Sequence, residues 1–473
     1  MIRARFAPSP TGYLHIGSAR TFIFNWLYTR KHKGTMVLRI DDTDRDRNTE
    51  ASLKSIYDGL NWLALGWDEF YRQSDRLELH RKLAHDLLAK GLAYRDFKPA
   101  AAEYEEKAHG EGPWLCNPEM RALSPDESDR RAAAGEPFVI RFRVQREPVH
   151  EVKFNDEVYG PQSKLTADIE DFALLRSNSM PTYHLASCAD DIDLRITHII
   201  RGQDHLSNTF KHVLLFQAAR APLPHFAHLP LLIAPDGSKL SKRKHGPVVS
   251  VLTYRDSGFL PIAYINFLCL LGWSPKDNRE QMSLYELESA FSFEGVNRSN
   301  AVVNFTDADP IDAKALWLNS QHLRTAPVRM LVPFVRQTLC GHGLQPYGDE
   351  AFFENVIDTI RSRFSTLLDF ATKGRAYFSD DFEMDEKALE KLNAPGARQL
   401  LNELAERIAN NSEFSEASVE AELRKLAAER GVKAGVLINA SRAALTGQPV
   451  GPSAFAVFVC IGRDRVIERL RNV

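Results

Sequence analysis

Arg5-Phe6-Ala7-Pro8-Ser9-Pro10-Thr11-Gly12-Tyr13-Leu14-His15-Ile16-Gly17-Ser18 is where the chain first shows how it folds. Upstream and into it, Ile2, Ala4 and Phe6 alternate with arginines, which is the period of a strand. The prolines and glycine between positions 8 and 12 stop that strand, and Ala19, Phe22, Trp26 and Arg30 then recur at helical spacing. A second apolar run, Met36 to Ile40, leads straight into Asp41, Asp42, Thr43 and Asp44. The spacing predicts a βαβ unit whose acidic cluster lies just past a strand's carboxyl end, where open parallel sheets bind ligands.

The pattern returns further along. Ile196 to Ile200 is a β-branched run that ends in Arg201, Gly202, Gln203 and Asp204. Leu229 to Ile233 reads as one more strand, followed by a turn and the basic segment Lys239 to Lys244. Between the two halves, residues 96–179 hold a charged, helix-like stretch and then Phe138 to Val144, which alternates as a strand, so an inserted α/β subdomain is expected. Beyond about residue 320 strand signals fade. Leu400, Leu404 and Ile408 repeat at four, Val419, Leu423 and Leu426 follow the same logic, and Asn393 to Gly396 and Gly447 to Gly451 punctuate the helices. The boundaries predicted are 1–95 with 180–255 for a split α/β domain, 96–179 for the insert, 256–325 for a linking domain and 326–473 for an all-α domain.

Bulk properties agree with a folded globular protein of several domains. The chain has 473 residues, with 44% hydrophobic and 26% charged, which disfavours disorder or fibre. No apolar run approaches the ~20 residues of a membrane span. The N-terminal MIRARFAPSPTG lacks a signal peptide's apolar core, so a cytoplasmic protein is expected. Cys116, Cys188, Cys269, Cys340 and Cys460 form no CxxC or tight pair, against a disulfide framework. A formal charge of −2 neither announces nor excludes a nucleic-acid partner.

Two segments carry chemistry. In the opening turn, Gly17 admits a ligand close to the backbone, the helix start favours phosphate, and His15 can hydrogen-bond phosphate oxygens. It is neither GxGxxG nor a P-loop, which removes support for hydride transfer and P-loop ATPase chemistry. The bland alternative is a Pro/Gly turn with a surface histidine. In Ser238-Lys239-Leu240-Ser241-Lys242-Arg243-Lys244-His245-Gly246, four cations in six positions suit a reaction that spreads negative charge over phosphate oxygens. Alone, such a run also fits a solvated loop.

His15-Ile16-Gly17-Ser18 and Lys239-Leu240-Ser241-Lys242-Arg243 resemble the HIGH and KMSKS signatures of class I aminoacyl-tRNA synthetases. The likeness extends to Arg5 through Gly12, Arg39-Ile40-Asp41-Asp42-Thr43-Asp44, Pro181-Thr182-Tyr183-His184-Leu185-Ala186, Ile200-Arg201-Gly202, Arg442 through Gly447 and Gly462 through Val466. Together these resemble bacterial-type glutamyl-tRNA synthetases over nearly the whole chain. The resemblance implies a Rossmann-like catalytic domain, an acceptor-binding insert, a stem-contact domain and a helical anticodon-binding domain. It implies formation of glutamyl-adenylate from L-glutamate and ATP with Mg2+, then transfer to the 2′-hydroxyl of the terminal adenosine of the glutamate tRNA. The glutamine tRNA is an additional or alternative acceptor.

By the same resemblance, Arg5 and Arg201 meet the γ-carboxylate, Tyr183 supplies a hydroxyl, and Ala7 and Ser9 border the amino acid. Asp41 receives the α-ammonium. It stands where glutamate is common, and Ser187 stands where asparagine is frequent. Asp42 and Asp44 are expected to tie down their turn. His15, Gly17 and Ser18 are assigned to ATP, Asp204 to the ribose, Leu232 to the adenine or to plain core, and Lys242 to the α-phosphate, with Lys239 and Arg243 completing the catalytic loop. Arg363 and Arg442 are assigned to the anticodon. Many such enzymes carry a zinc knuckle, but Tyr94 to Pro118 contains only Cys116, so no structural zinc is expected. A monomer is expected. Rival readings are a glutaminyl-tRNA synthetase, which would end in β-barrels, a glutamyl-queuosine tRNA synthetase, which would lack the helical domain, and an inactive tRNA-binding regulator.

Overall fold

The computed structural model of the chain describes residues 1–44, 48–98, 114–306 and 308–473, without the side chains of Lys242 and Arg243. It divides into two compact units, Met1–Thr253 with Ile265–Asp312, and Tyr254–Tyr264 with Ala313–Val473.

The first unit contains strands β1 (Arg3–Phe6), β2 (Thr35–Ile40), β3 (Glu69–Arg72), β4 (Ala93–Asp96), β5 (Val139–Phe142), β6 (Glu151–Asp156), β7 (Gly160–Leu165), β8 (Ala173–Leu175), β9 (His198–Gly202), β10 (His225–Leu229), β11 (Leu232–Ile233) and β12 (Ala301–Val302). A seven-stranded sheet runs β3-β2-β1-β9-β10-β6-β7, all neighbours parallel except β6 and β7. The chain builds outward from β1 in one direction and resumes on its other side with β9, so the order reverses between them. At such a switch point the crossovers diverge and leave a crevice outside the carboxyl ends of the strands. Helix α1 (Ile16–Lys31) leaves β1 and packs on the sheet, with Phe22 against Phe6 at 5.3 Å between ring centroids. Val37, Ile199, Phe226, Val213 and Phe216 extend the core beneath the strands.

A separate antiparallel sheet, β4-β5-β8, accounts for the strand read at Phe138 to Val144. The stretch 96–179 feeds both sheets, since β6 and β7 join the larger one. One expected strand is corrected. Leu229 to Ile233 is not continuous: β10 ends at Leu229, and Leu232–Ile233 pairs instead with Ala301–Val302. Pro230 has no N–H to extend the ladder, and Leu231 donates its own to Asn300 Oδ1 at 3.0 Å.

The second unit is helical from Ala313–Thr325 to Arg463–Arg471. The periodic leucines do what their spacing implies: Leu400, Leu404 and Ile408 on helix Ala397–Asn410, and Val419, Leu423 and Leu426 on helix Glu416–Glu429, are all buried in one core. Gly447 closes helix Ala434–Thr446 at φ 68°, and a Cβ there would lie 2.3 Å from Glu383 O, so no other residue fits. Among the described residues no helix is long and apolar enough to cross a membrane.

Candidate functional site

A cavity of ≈ 480 Å³ opens at the switch point of the large sheet. Two backbone contacts shape its floor. Asp41 N donates to Pro8 O at 3.0 Å, drawing the turn after β1 against the end of β2, and Thr49 N donates to Pro10 O at 3.4 Å. Arg5, Ala7 and Ser9 from β1 and its turn, Asp41 after β2, and Arg201 from β9 all border the cavity, with Tyr183 and Ser187 added from helix Tyr183–Asp193.

The charges here are unequally compensated. Arg39, fully buried on β2, donates to both oxygens of Asp41 at 2.7 and 3.2 Å and to Asp191 at 2.7 Å. Arg5 Nε also reaches Asp191, at 3.1 Å. Asp190 is held by Arg76 at 2.8 Å and by His80 at 2.7 Å. The carboxylates Asp41, Asp190 and Asp191 are thus matched by Arg5, Arg39 and Arg76. Burial still lifts the Asp41 carboxyl above its ordinary range, with Arg39 opposing. Ser187 Oγ accepts from Arg39 at 3.4 Å.

Arg201 differs. It is 6% exposed and makes no ion pair with any described carboxylate. Its N–H groups face neutral acceptors: His228 Nε2 at 3.1 Å, Tyr183 Oη at 3.0 Å, Thr209 Oγ1 at 2.7 Å, and, more distantly, His212 Nδ1 and His205 O at 3.4 Å. Burial, reinforced by the guanidinium, pushes His205 down to about 4 and His212 well below its ordinary value, so both rings are uncharged near neutrality. Burial lowers the Arg201 pKa as well. A desolvated cation with no counter-charge, at the wall of a cavity, is completed by an anionic ligand.

The other half of the cavity is bordered by His15, Gly17, Ser18, Asp204, Leu232 and Lys239. His15 caps α1: its Nδ1 accepts from Gly17 N at 3.0 Å, so the neutral ring carries its proton on Nε2 and can donate there. Lys239 Nζ lies 2.9 Å from Asp204 Oδ2, which holds the Asp204 carboxyl below its usual range against burial. The basic segment is less open than expected. Ala234 N bonds Ser238 O at 2.8 Å in a tight hairpin, Lys244 pairs with Asp236 at 2.5 Å, and a four-residue helix begins at Lys242. The side chains of Lys242 and Arg243 lie outside the described residues. Beyond the segment, Val251 N donates to Leu14 O at 3.2 Å, tying it back to the His15 turn. Leu232 is 5% exposed and borders the cavity.

Asp42 does tie down its turn, accepting from Ser74 N and Oγ at 2.8 and 2.9 Å. In the second unit Arg363 borders a cavity of ≈ 200 Å³ with Phe364, Tyr377, Thr446 and Gln448. Arg442 does not border it but braces its wall, donating to Pro452 O at 3.1 Å. Of the zinc stretch, residues 99–113 lie outside the described residues. Sequence reading missed Arg39, Asp190 and Asp191 as parts of the site. Arg39 and Asp41 are two apart on one face of a strand, a spacing that signals a same-face pair, whereas nothing local points from β2 to Asp191.

Comparison with known proteins follows the same lines. Residues 1–309 match the family model for tRNA synthetases class I (E and Q), catalytic domain, and residues 328–473 match an anticodon binding domain. A glutamate–tRNA ligase of Solibacter usitatus is 54% identical, covering 99% of this chain and 98% of that protein. Glutamate–tRNA ligase 2 of Koribacter versatilis is 45% identical, covering 100% and 97%. A crystal structure of a glutamate tRNA ligase from Elizabethkingia meningosepticum in complex with its amino acid matches with a TM-score of 0.84 at 29% identity, over 100% of this chain and 98% of that one.

Proposed function

The chain belongs to the class I tRNA synthetases of the glutamate and glutamine type, and from that premise we infer the reaction and the roles of its residues. It is a glutamate–tRNA ligase. The observation that carries the choice of amino acid is Arg201, a buried guanidinium without a carboxylate among the described residues, at the end of the cavity where Arg5 is already balanced by Asp191; Arg20, which also lines the cavity, donates instead to the carbonyls of Leu271 and Pro230. L-Glutamate bears one carboxylate more than glutamine and so complements that surplus charge.

In this reading the γ-carboxylate lies toward Arg201 and the Tyr183 hydroxyl, with Arg5 supporting from beside Asp191. The α-ammonium lies toward Asp41, whose two oxygens are already bonded to Arg39 and keep lone pairs to spare. Mg-ATP enters as a substrate at His15, Gly17, Ser18, Asp204 and Leu232. The α-carboxylate attacks the α-phosphorus and pyrophosphate departs; the 2′-hydroxyl of the terminal adenosine then takes the acyl group, losing its proton as the acyl–phosphate bond breaks and AMP leaves. Positioning and charge stabilisation do the catalysis. Lys239, Lys242 and Arg243 meet the phosphate charge as it develops. The insert 96–179 takes the acceptor end, 256–325 the stem, and 326–473 the anticodon, with Arg363 against a base edge and Arg442 behind it. The enzyme works as a cytoplasmic monomer.

The deciding experiment is charging of purified glutamate and glutamine tRNAs with labelled glutamate or glutamine. Glutamate esterified to the glutamate tRNA only when ATP is present is expected; incorporation of glutamine, or none of glutamate, sinks the reading. Lys242→Ala is expected to slow pyrophosphate exchange, with tRNA present, by about 2.7–4 kcal/mol, as for loss of one oxyanion donor.

A further inference from the structure

We propose that Asp156 and His228 act in series as positioning residues for Arg201, holding its guanidinium at the amino-acid end of the cavity. The proposal rests on the reading that Arg201 meets the substrate's carboxylate.

Neither residue borders the cavity. They are 1% and 0% exposed. Three adjacent strands bring the set together: β6 ends at Asp156, which is in register with Phe226, and His228 on β10 stands directly opposite Arg201 on β9. Asp156 Oδ2 lies 2.6 Å from His228 Nδ1, and His228 Nε2 lies 3.1 Å from Arg201 Nε. A carboxylate only accepts, so the imidazole carries its proton on Nδ1 and presents a lone pair at Nε2. Arg201 Nε–H finds that lone pair, and Thr209 Oγ1 steadies the same guanidinium by accepting from Nη2 at 2.7 Å, with its own proton free to go to His205 O at 3.2 Å. The other tautomer would set Nε2–H against Nε–H, donor against donor, and turn the guanidinium.

Asp156 is itself immobilised. Its Oδ1 accepts from Val158 N at 3.0 Å and Tyr159 N at 2.9 Å, and His228 N reaches Oδ2 at 3.1 Å. The arrangement also has an electrostatic result. The nearest carboxylate on this side stands one imidazole away from Arg201, so it orients the cation without pairing with it, and the charge stays available to the cavity.

The test is steady-state charging by the full-length enzyme with tRNA, reading the KM for glutamate and for ATP separately. Asp156→Asn keeps the acceptor for Val158 and Tyr159 but lets the amide donate to Nδ1 and invert the tautomer. His228→Ala removes the acceptor. His228→Gln keeps a carbonyl and an N–H at similar reach. The KM for glutamate should rise about tenfold or more in Asp156→Asn and His228→Ala, with the KM for ATP held within about twofold and most of the loss recovered in His228→Gln. Arg201→Ala serves as the reference. If it raises the glutamate KM while Asp156→Asn and His228→Ala do not, the relay is discarded and Arg201 keeps its role. If Arg201→Ala leaves the glutamate KM unchanged, the reading beneath the relay fails first. Parallel rises for glutamate and ATP would mark a general disturbance of the sheet and overturn the proposal, and should Asp156→Asn not fold, the His228→Ala and His228→Gln pair decides.

Discussion

At Gly202 an added methyl group would sit 2.5 Å from Asp204 Oδ1, although the backbone there, φ −65° and ψ 147°, suits any residue. The side chain of Asp204 can swing aside, but only by releasing Lys239. Gly202→Ala should therefore raise the KM for ATP by up to about fivefold, the ~1 kcal/mol of an exposed pair, and leave that for glutamate alone; kinetics in which glutamate suffers first would contradict the placement of Asp204. Arg201 lies at the opposite extreme of burial. Its removal leaves a ligand carboxylate in a desolvated pocket without its unshared cation, so Arg201→Ala should lower kcat/KM for glutamate by about 2–5 kcal/mol. The two neighbours on one strand end thus report on different substrates.

Among elements, the helix ends show what short sequence motifs can do. Ser283 caps helix Leu284–Ala290 and forms a capping box with Glu286, each side chain accepting from the other's backbone N–H. Ser283→Ala should cost about 0.5–2 kcal/mol, read as a lower urea midpoint with unchanged slope. α1 begins differently, with His15 in the capping place, so one residue both closes a helix end and borders the cavity. Strand ends carry the remainder of the site. β1 and β9 deliver Arg5 and Arg201 to the same end of the sheet because they are parallel neighbours, with Ala4 opposite His198 and the two arginines therefore two residues apart in register.

For the chain as a whole, protonation and RNA contact give separate readouts. Burial holds His184 down to about 3 and His205 and His322 to about 4, below the ordinary 6.5 of an unfolded chain. As pH falls through 6.5 the unfolded state binds protons that these buried rings refuse. Stability contributed by their neutrality is therefore complete above 6.5 and is lost progressively down to about 4. The urea midpoint should decline across that window, each fully neutral ring adding a slope that approaches ~1.4 kcal/mol per pH unit; a flat profile would show the rings to be solvated. Arg363→Ala, in the helical unit, should raise the KM for tRNA while the KM for glutamate stays put, because Arg363 and the amino-acid residues belong to different compact units.

Much of this was legible from local pattern. The alternation before Pro8, the helical spacing after Gly17, the polar residues at the ends of Met36–Ile40 and Ile196–Ile200, and the fourfold leucines of the last third each depend on backbone geometry within a few residues, so periodicity alone specifies them. Pro230, which has no N–H to offer a ladder, marks the break after Leu229 in the same local way. What only the tertiary structure decided is which group satisfies which. Asp191 neutralises Arg5 from 186 residues away, and Asp156 reaches His228 across 72. Those pairings follow from strand order and from the cost of leaving a buried charge or donor unmatched, and neither is written in the spacing of neighbouring residues.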